Sequence, residues 1–380
     1  MSRETMTRTE RVDAAIRLEK PDRVPVVPLL SAEAAGTLSG ATMAQVSNDS
    51  QILFNSILKV FDDYGGWDAM HGGVWRPIHV QATGTHPMKI RIPGVDLPDD
   101  YVFQLVEEPI MQLEDYDKIC QMGFDNFYYD DYLWRISSLT QDSLSDALED
   151  VMIWGMKFLP EMAKRDVGMW VAATGMHPFF HLSLMRSLIT FTEDLYYRPE
   201  IVEKTLKRMT ADLIPKQIAM AKALGHNRWL LTEERASAYT YPLSVFERFW
   251  WPYTQEIVEA FWSEGIVTVF HIDTPWDKNL PYFKRLPKGS YVVSLDSTTD
   301  IFAAKQLLRG HGAIYGDVSA SLLTIGSPAD VEAYVKRLID EVGDDGGFIL
   351  GQGCNLPSNI KPENFRAMLD TCKTYEFSKK

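Results

Sequence analysis

The chain has 380 residues, 46% of them hydrophobic and 24% charged, the balance of a soluble globular protein with a large core. Its formal net charge of −14 argues against nucleic acid as the main partner, because phosphate binding needs a basic face. No apolar stretch approaches the roughly 18 residues of a membrane span, and the charged opening from Met1 to Lys20 lacks the apolar centre of a signal peptide. Three cysteines, Cys120, Cys354 and Cys372, are too few and too odd in number for a disulfide framework, so the expected compartment is a reducing cytoplasm.

Thr7-Arg8-Thr9-Glu10 predicts a capping box at a helix start, with Val12, Ala15, Ile16 and Leu18 on the apolar face and Pro21 as the stop. Arg23 to Pro28 reads as extended, since each proline moves its predecessor out of the α region. A helix is predicted from Met43 to Val60 and a weak strand over Gly66–Met70. Between Val74 and Pro109, isolated apolar residues among Gly and Pro predict an excursion of short antiparallel strands or loops. An acidic, aromatic stretch covers Glu114 to Arg135, and a helix follows from Ser143 to Lys164.

A strand–helix rhythm then sets in. Predicted strands are Met169–Ala173, Trp229–Thr232, Ile266–Phe270, Tyr291–Leu295, Ala313–Tyr315 and Gly347–Leu350. Helices lead to Ala223, with Pro199 in a first turn and Gly225 past the end. Ser244-Val245-Phe246-Glu247 reads as a second capping box, opening a helix to Glu264 in which Pro252 marks a kink or a restart. Further helices are predicted near 279–286, 300–309, 328–342 and Pro362–Thr374. With Val24–Val27 and Trp67–Met70 the strands make eight βα units, which favours a closed (β/α)8 barrel spanning 1–380 as one domain, with an N-terminal helical extension. The competing doubly wound sheet needs a Gly-rich turn after its first strand, and none follows Val27.

Barrel active sites form at the C-terminal strand ends. There the sequence places His177, Glu233-Glu234, His271 and Asp273, Asp296, Asp317 and Cys354. His271, Cys354 and a carboxylate form a donor set suited to zinc, which accepts mixed nitrogen, sulfur and oxygen ligands. From spacing alone, a hydrogen-bonded mouth histidine and an inert cysteine are the better account. Glu233-Glu234 offers either a ligand and a proton carrier or a solvated pair. The aromatics from Phe124 to Trp134 offer a clasp for a flat ring, although ordinary packing explains them more simply. A P-loop, a Gly-x-Ser-x-Gly elbow and a Cys-x-x-Cys pair are all absent.

Glu10-Arg11-Val12 through Lys20-Pro21-Asp22-Arg23-Val24-Pro25-Val26 resembles the opening of the uroporphyrinogen decarboxylase superfamily. Leu243–Phe249 with Pro252-Tyr253, Gly316-Asp317-Val318-Ser319, Ala329–Asp340 and Gly346–Leu350 continue the resemblance in register over nearly the whole chain. It implies a (β/α)8 barrel. The arginine-rich motif of true uroporphyrinogen decarboxylases is replaced here by Leu29-Leu30-Ser31-Ala32-Glu33, so a tetrapyrrole with many carboxylates lacks its cations.

The corrinoid-dependent methyltransferase branch carries His-x-Cys and a distant Cys as zinc ligands. His271 and Cys354 match the first and last by position, and Asp273 stands where the middle cysteine would be. An oxygen ligand makes a harder metal site, suited to an oxygen substrate, and the chain looks most like members that demethylate aryl methyl ethers. The resemblance therefore implies Zn2+ on His271, Cys354 and either Glu234 or Asp273, with Glu234 slightly preferred as the oxygen ligand. Glu233, Asp317 or His177 would assist the departing phenolate, and Phe127, Tyr128, Tyr129, Trp134 and Met176 would line the ring pocket. A cobalt(I) cobalamin or other corrinoid would come from a separate corrinoid protein, since the Asp-x-His-x-x-Gly signature is absent and Asp68-Ala69-Met70-His71 has the wrong spacing. The oligomeric state is left open, with a homodimer among the expectations. A corrinoid-free decarboxylase or lyase and a non-catalytic aromatic-binding barrel are the alternatives.

Overall fold

The computed structural model describes residues 4–171 and 173–376. A six-stranded parallel sheet runs in the spatial order Thr174–Met176, Arg228–Glu233, Val267–Ile272, Tyr291–Leu295, Ala313–Val318 and Phe348–Gln352. Short extended pieces close it. Val27 N donates to Leu350 O and Leu350 N to Pro25 O, each at 2.8 Å, while Asp68 N donates to Val26 O at 2.9 Å. Ala69–Met70 pairs in parallel with Gly168–Met169, which leads directly into Thr174–Met176. Adding the stretch around Val26 and the one around Met70 to the six gives the eight staves of a closed barrel. Ala172, inside the predicted strand Met169–Ala173, lies outside the described residues.

Inside the barrel, Val27, Ala69, Trp170, Leu230, Val269, Val292, Tyr315 and Ile349 pack together. Val12, Ala15 and Ile16 of the first helix join this cluster, so that helix plugs the barrel at the end where the strands begin. The plug is pinned by ions. Arg11 and Arg23 both bind the fully buried Asp68 at 2.7 Å, and Arg11 also holds Asp22 at 2.6 Å. These groups come from the opening stretch and from the start of the second stave.

Several boundaries differ from expectation for local reasons. The predicted helix from Met43 to Val60 is two helices, Met43–Asn48 and Ser50–Asp63. Asp49 between them is extended (φ −130°, ψ 110°), and its carboxylate accepts from Gln51 N and Ile52 N. Ser244 caps nothing: the helix Leu243–Phe249 starts behind Pro242, without a side-chain cap. A second helix, Trp251–Ser263, restarts after Trp250 with Pro252 in its first turn. Leu18 leaves the first helix, which ends at Ile16, and has φ 65°. The excursion contains the expected antiparallel pair, Lys89–Arg91 with Gln104–Val106, and also an unanticipated helix, Pro77–Ala82. Among the described residues no helix is long and apolar enough to cross a membrane.

Candidate metal centre

Val267 and Val269 point into the barrel, and strand alternation carries His271 to the same side one step nearer the mouth. Asp273 follows just past the strand. Its backbone carbonyl accepts from Trp276 Nε1 at 2.8 Å, and Asp296 Oδ2 accepts from Thr274 N at 2.8 Å, so the turn after the strand is held from both sides. Cys354 arrives from the last stave. Gln352 fixes that loop by exchanging hydrogen bonds with the Leu29 backbone and donating to Cys354 O at 2.6 Å. Gly353 passes so close to Asp296 O that a Cβ there would lie 2.6 Å from it.

The result is a compact donor triangle. Cys354 Sγ lies 3.6 Å from His271 Nε2 and 3.3 Å from Asp273 Oδ2, and His271 Nε2 is 3.6 Å from Asp273 Oδ1. Tetrahedral zinc with bonds of about 2.0–2.3 Å separates its ligand atoms by about 3.3–3.6 Å. The triangle therefore fits such an ion and leaves a fourth position free. Asp273 Oδ1 is buried without a hydrogen-bond partner among the described residues, as a ligand atom would be. Burial, followed by the Asp273 charge, raises the Cys354 thiol, and burial also raises the Asp273 carboxyl. In the protein alone the thiol donates to Asp273, and a bound cation would replace that proton.

The other expected residues distribute differently. Glu234 lies outside the triangle but close enough for Asp273 to raise its pKa, which burial, the larger cause, brings to about 7. Glu233, one step earlier on its strand, turns away to the barrel's outer side. It is fully buried there, accepting from Trp250 Nε1 at 2.9 Å and from the amides of Arg235 and Ala236. Burial raises it to about 8. His177, also fully buried, lies 3.7 Å from Glu233, but its Nδ1 accepts from Phe179 N and its Nε2 faces Thr254 Oγ1. Asp317 binds the Tyr334 hydroxyl at 2.7 Å, and burial raises it to about 6.

Phe127 and Tyr128 are packed into the core, where Tyr128 donates to Gln81 O and Arg135 lies over the Phe127 ring. Tyr129 and Trp134 are half-buried and joined by a Trp134 Nε1 bond to Tyr129 O. Met176 packs with Met88, Phe180 and Leu184 and lines a small cavity of about 90 Å³ beside Phe124 and His181.

Two histidines outside the expected set share the mouth. His71, at the end of the second stave, and His86 both have pKa values lowered by burial and then by His271. Sequence offered little signal for either, because both lie where the strand pattern is weakest.

The barrel and its triangle define a (β/α)8 protein with a candidate mononuclear metal centre on two strand ends. The chain belongs to the uroporphyrinogen decarboxylase (URO-D) family, whose model matches residues 156–375. It is 29% identical over 164 residues to the methylcobamide:CoM methyltransferase MtbA of Methanosarcina mazei, covering 42% of this chain and 46% of that protein. A uroporphyrinogen decarboxylase of Geotalea daltonii is 30% identical over 128 residues, 33% of this chain and 36% of that protein. The chain thus spans less than half the length of these curated relatives. A solved methyltransferase from Methanosarcina mazei covers 97% of this chain and 98% of its own, with a TM-score of 0.68. At 17% identity that likeness is one of fold.

Proposed function

We propose that this chain is a corrinoid-linked methyltransferase: the methyl group of a methoxylated aromatic passes to a cobalt(I) corrinoid on a separate protein, and a phenol is released. The observation that carries the reading is the His271–Asp273–Cys354 triangle, in which an oxygen donor accompanies nitrogen and sulfur. The local likeness to MtbA supports the methyl-transfer class.

Zinc on His271 Nε2, Cys354 Sγ and Asp273 would supply Lewis acidity toward an ether oxygen at its fourth position. The chain's own groups do the rest. Glu234 holds a proton near neutral pH beside the triangle and can give it to the departing phenolate. Glu233 and His177 stand behind the mouth and brace it, Glu233 by binding the amides of the loop that follows Glu234. Asp296 adds an acidic group to the rim, which disfavours a polycarboxylate tetrapyrrole.

The test is to mix the purified protein with a cobalt(I) corrinoid protein and 2-methoxyphenol or 1,2-dimethoxybenzene, following the methyl-cobalt absorption band. The expected result is a band with a phenol formed in equal amount. No band with any aryl ether would sink the proposal, and carbon dioxide released from a carboxylated substrate without corrinoid would favour a decarboxylase.

A further inference from the structure

Two buried polar side chains flank Tyr315 below the barrel mouth. His71 Nδ1 and Nε2 and Ser294 Oγ have no hydrogen-bond partner among the described residues, and the two residues are 2% and 3% exposed. The His71 ring lies 6.1 Å from Trp170 and 5.9 Å from Tyr315, two side chains of the barrel interior. Ser294 stands beside His271 on one strand and Tyr315 on the next, so all three point to the same side of the sheet. The Tyr315 hydroxyl is already taken by Val27 O at 2.7 Å.

Leaving donors and acceptors buried and unpaired is costly, and an apolar floor would avoid that cost. Burial keeps the His71 imidazole neutral, so it presents one donor and one acceptor, as a hydroxyl does. Asp296, beside Glu234 and Asp273, adds an acidic group to the mouth. Arg235, the next residue after Glu234, is engaged by Glu107 at 2.9 Å.

We propose that His71 and Ser294 determine specificity by holding an uncharged hydroxyl group of the bound molecule, so that the site takes hydroxylated aromatics without a carboxylate. A hydroxyl can donate to one of these groups and accept from the other. A carboxylate can only accept, so it satisfies one of these groups at most, and Asp296 stands near it at the rim. The inference rests on the reading of the mouth as an aryl ether site.

Calorimetric binding to the purified protein tests it with three probes: 2-methoxyphenol, methoxybenzene and 4-hydroxy-3-methoxybenzoate. The expected order places 2-methoxyphenol about tenfold or more ahead of the other two, the effect of one buried hydrogen bond. His71→Phe and Ser294→Ala should each erase most of that preference while leaving bound metal unchanged. His71→Asn, which keeps a donor and an acceptor, should retain part of it. The benzoate binding as tightly as the phenol, a preference that survives both Ser294→Ala and His71→Phe, or no binding of the phenol would overturn the proposal. Ser294→Ala removes a single oxygen, so it keeps the test decisive if His71→Phe does not fold. Calorimetry requires no corrinoid, so a binding preference without methyl transfer would defeat the reaction while leaving this assignment standing.

Discussion

Cys354 Sγ lies 3.6 Å from His271 Nε2 although 83 residues separate them. The barrel brings them together: the strand carrying His271 and the one leading to Cys354 are separated by two others, and both end at the same rim. Asp273 completes the triangle from the turn directly after His271.

The oxygen donor should tune the metal without being indispensable to it. Asp273→Asn should keep an ion on His271 and Cys354 but weaken its retention, measurable as faster metal loss to a chelator. Asp273→Cys should hold the ion at least as firmly and shift activity away from ether oxygen toward thiols. An Asp273→Asn protein that retains metal as long as the wild type would remove Asp273 from the ligand set.

Stability should fall with rising pH through the Glu233 carboxyl. Burial raises its pKa from 4.5 to about 8. The folded protein therefore keeps a proton that the unfolded chain has released, and stability falls as pH rises from about 4.5 to about 8. Urea unfolding of wild type and Glu233→Gln across that range should show a smaller decline in the variant. Parallel curves would contradict the burial argument.

The opening stretch should matter through Asp68. Asp68→Ala leaves Arg11 and Arg23 buried without their shared carboxylate, a change expected to cost about 3–5 kcal/mol. A urea midpoint lowered by the equivalent amount is the expected result, and an unchanged midpoint would show that Asp22, on Arg11, and Glu4, 2.8 Å from Arg23, suffice.

Gly351 gives the Tyr315 ring its space, since a Cβ at that position would fall on the ring. Gly351→Ala should destabilise the barrel by about 1–3 kcal/mol through overpacking. Chemical denaturation measures this, and a neutral outcome would mean that Tyr315 can give up its bond to Val27.

The five staves from Arg228–Glu233 to Phe348–Gln352 were legible because each is a short apolar run with a polar residue at or just past its end, whereas the strand expected over Met169–Ala173 pairs instead at Gly168–Met169 and Thr174–Met176. The adjacent pair Glu233-Glu234 shows where legibility stops. Alternation separates them, but only the structure shows Glu233 bound to Trp250 and Glu234 left outside the triangle. The Ser244 capping pattern misled because Pro242 already starts that helix. Phe127 and Tyr128 could be read as pocket or core from sequence, and burial places them in the core. His71 was illegible because its partnerless nitrogens are a property of packing, in a stave only two paired residues long.

Metal analysis of the purified protein tests the central claim most directly. The triangle predicts about one zinc per chain in the wild type, with zinc lost in both His271→Ala and Cys354→Ser while circular dichroism shows the barrel intact. A folded wild-type protein that takes up no zinc, or variants that bind it as well as the wild type, would contradict the account.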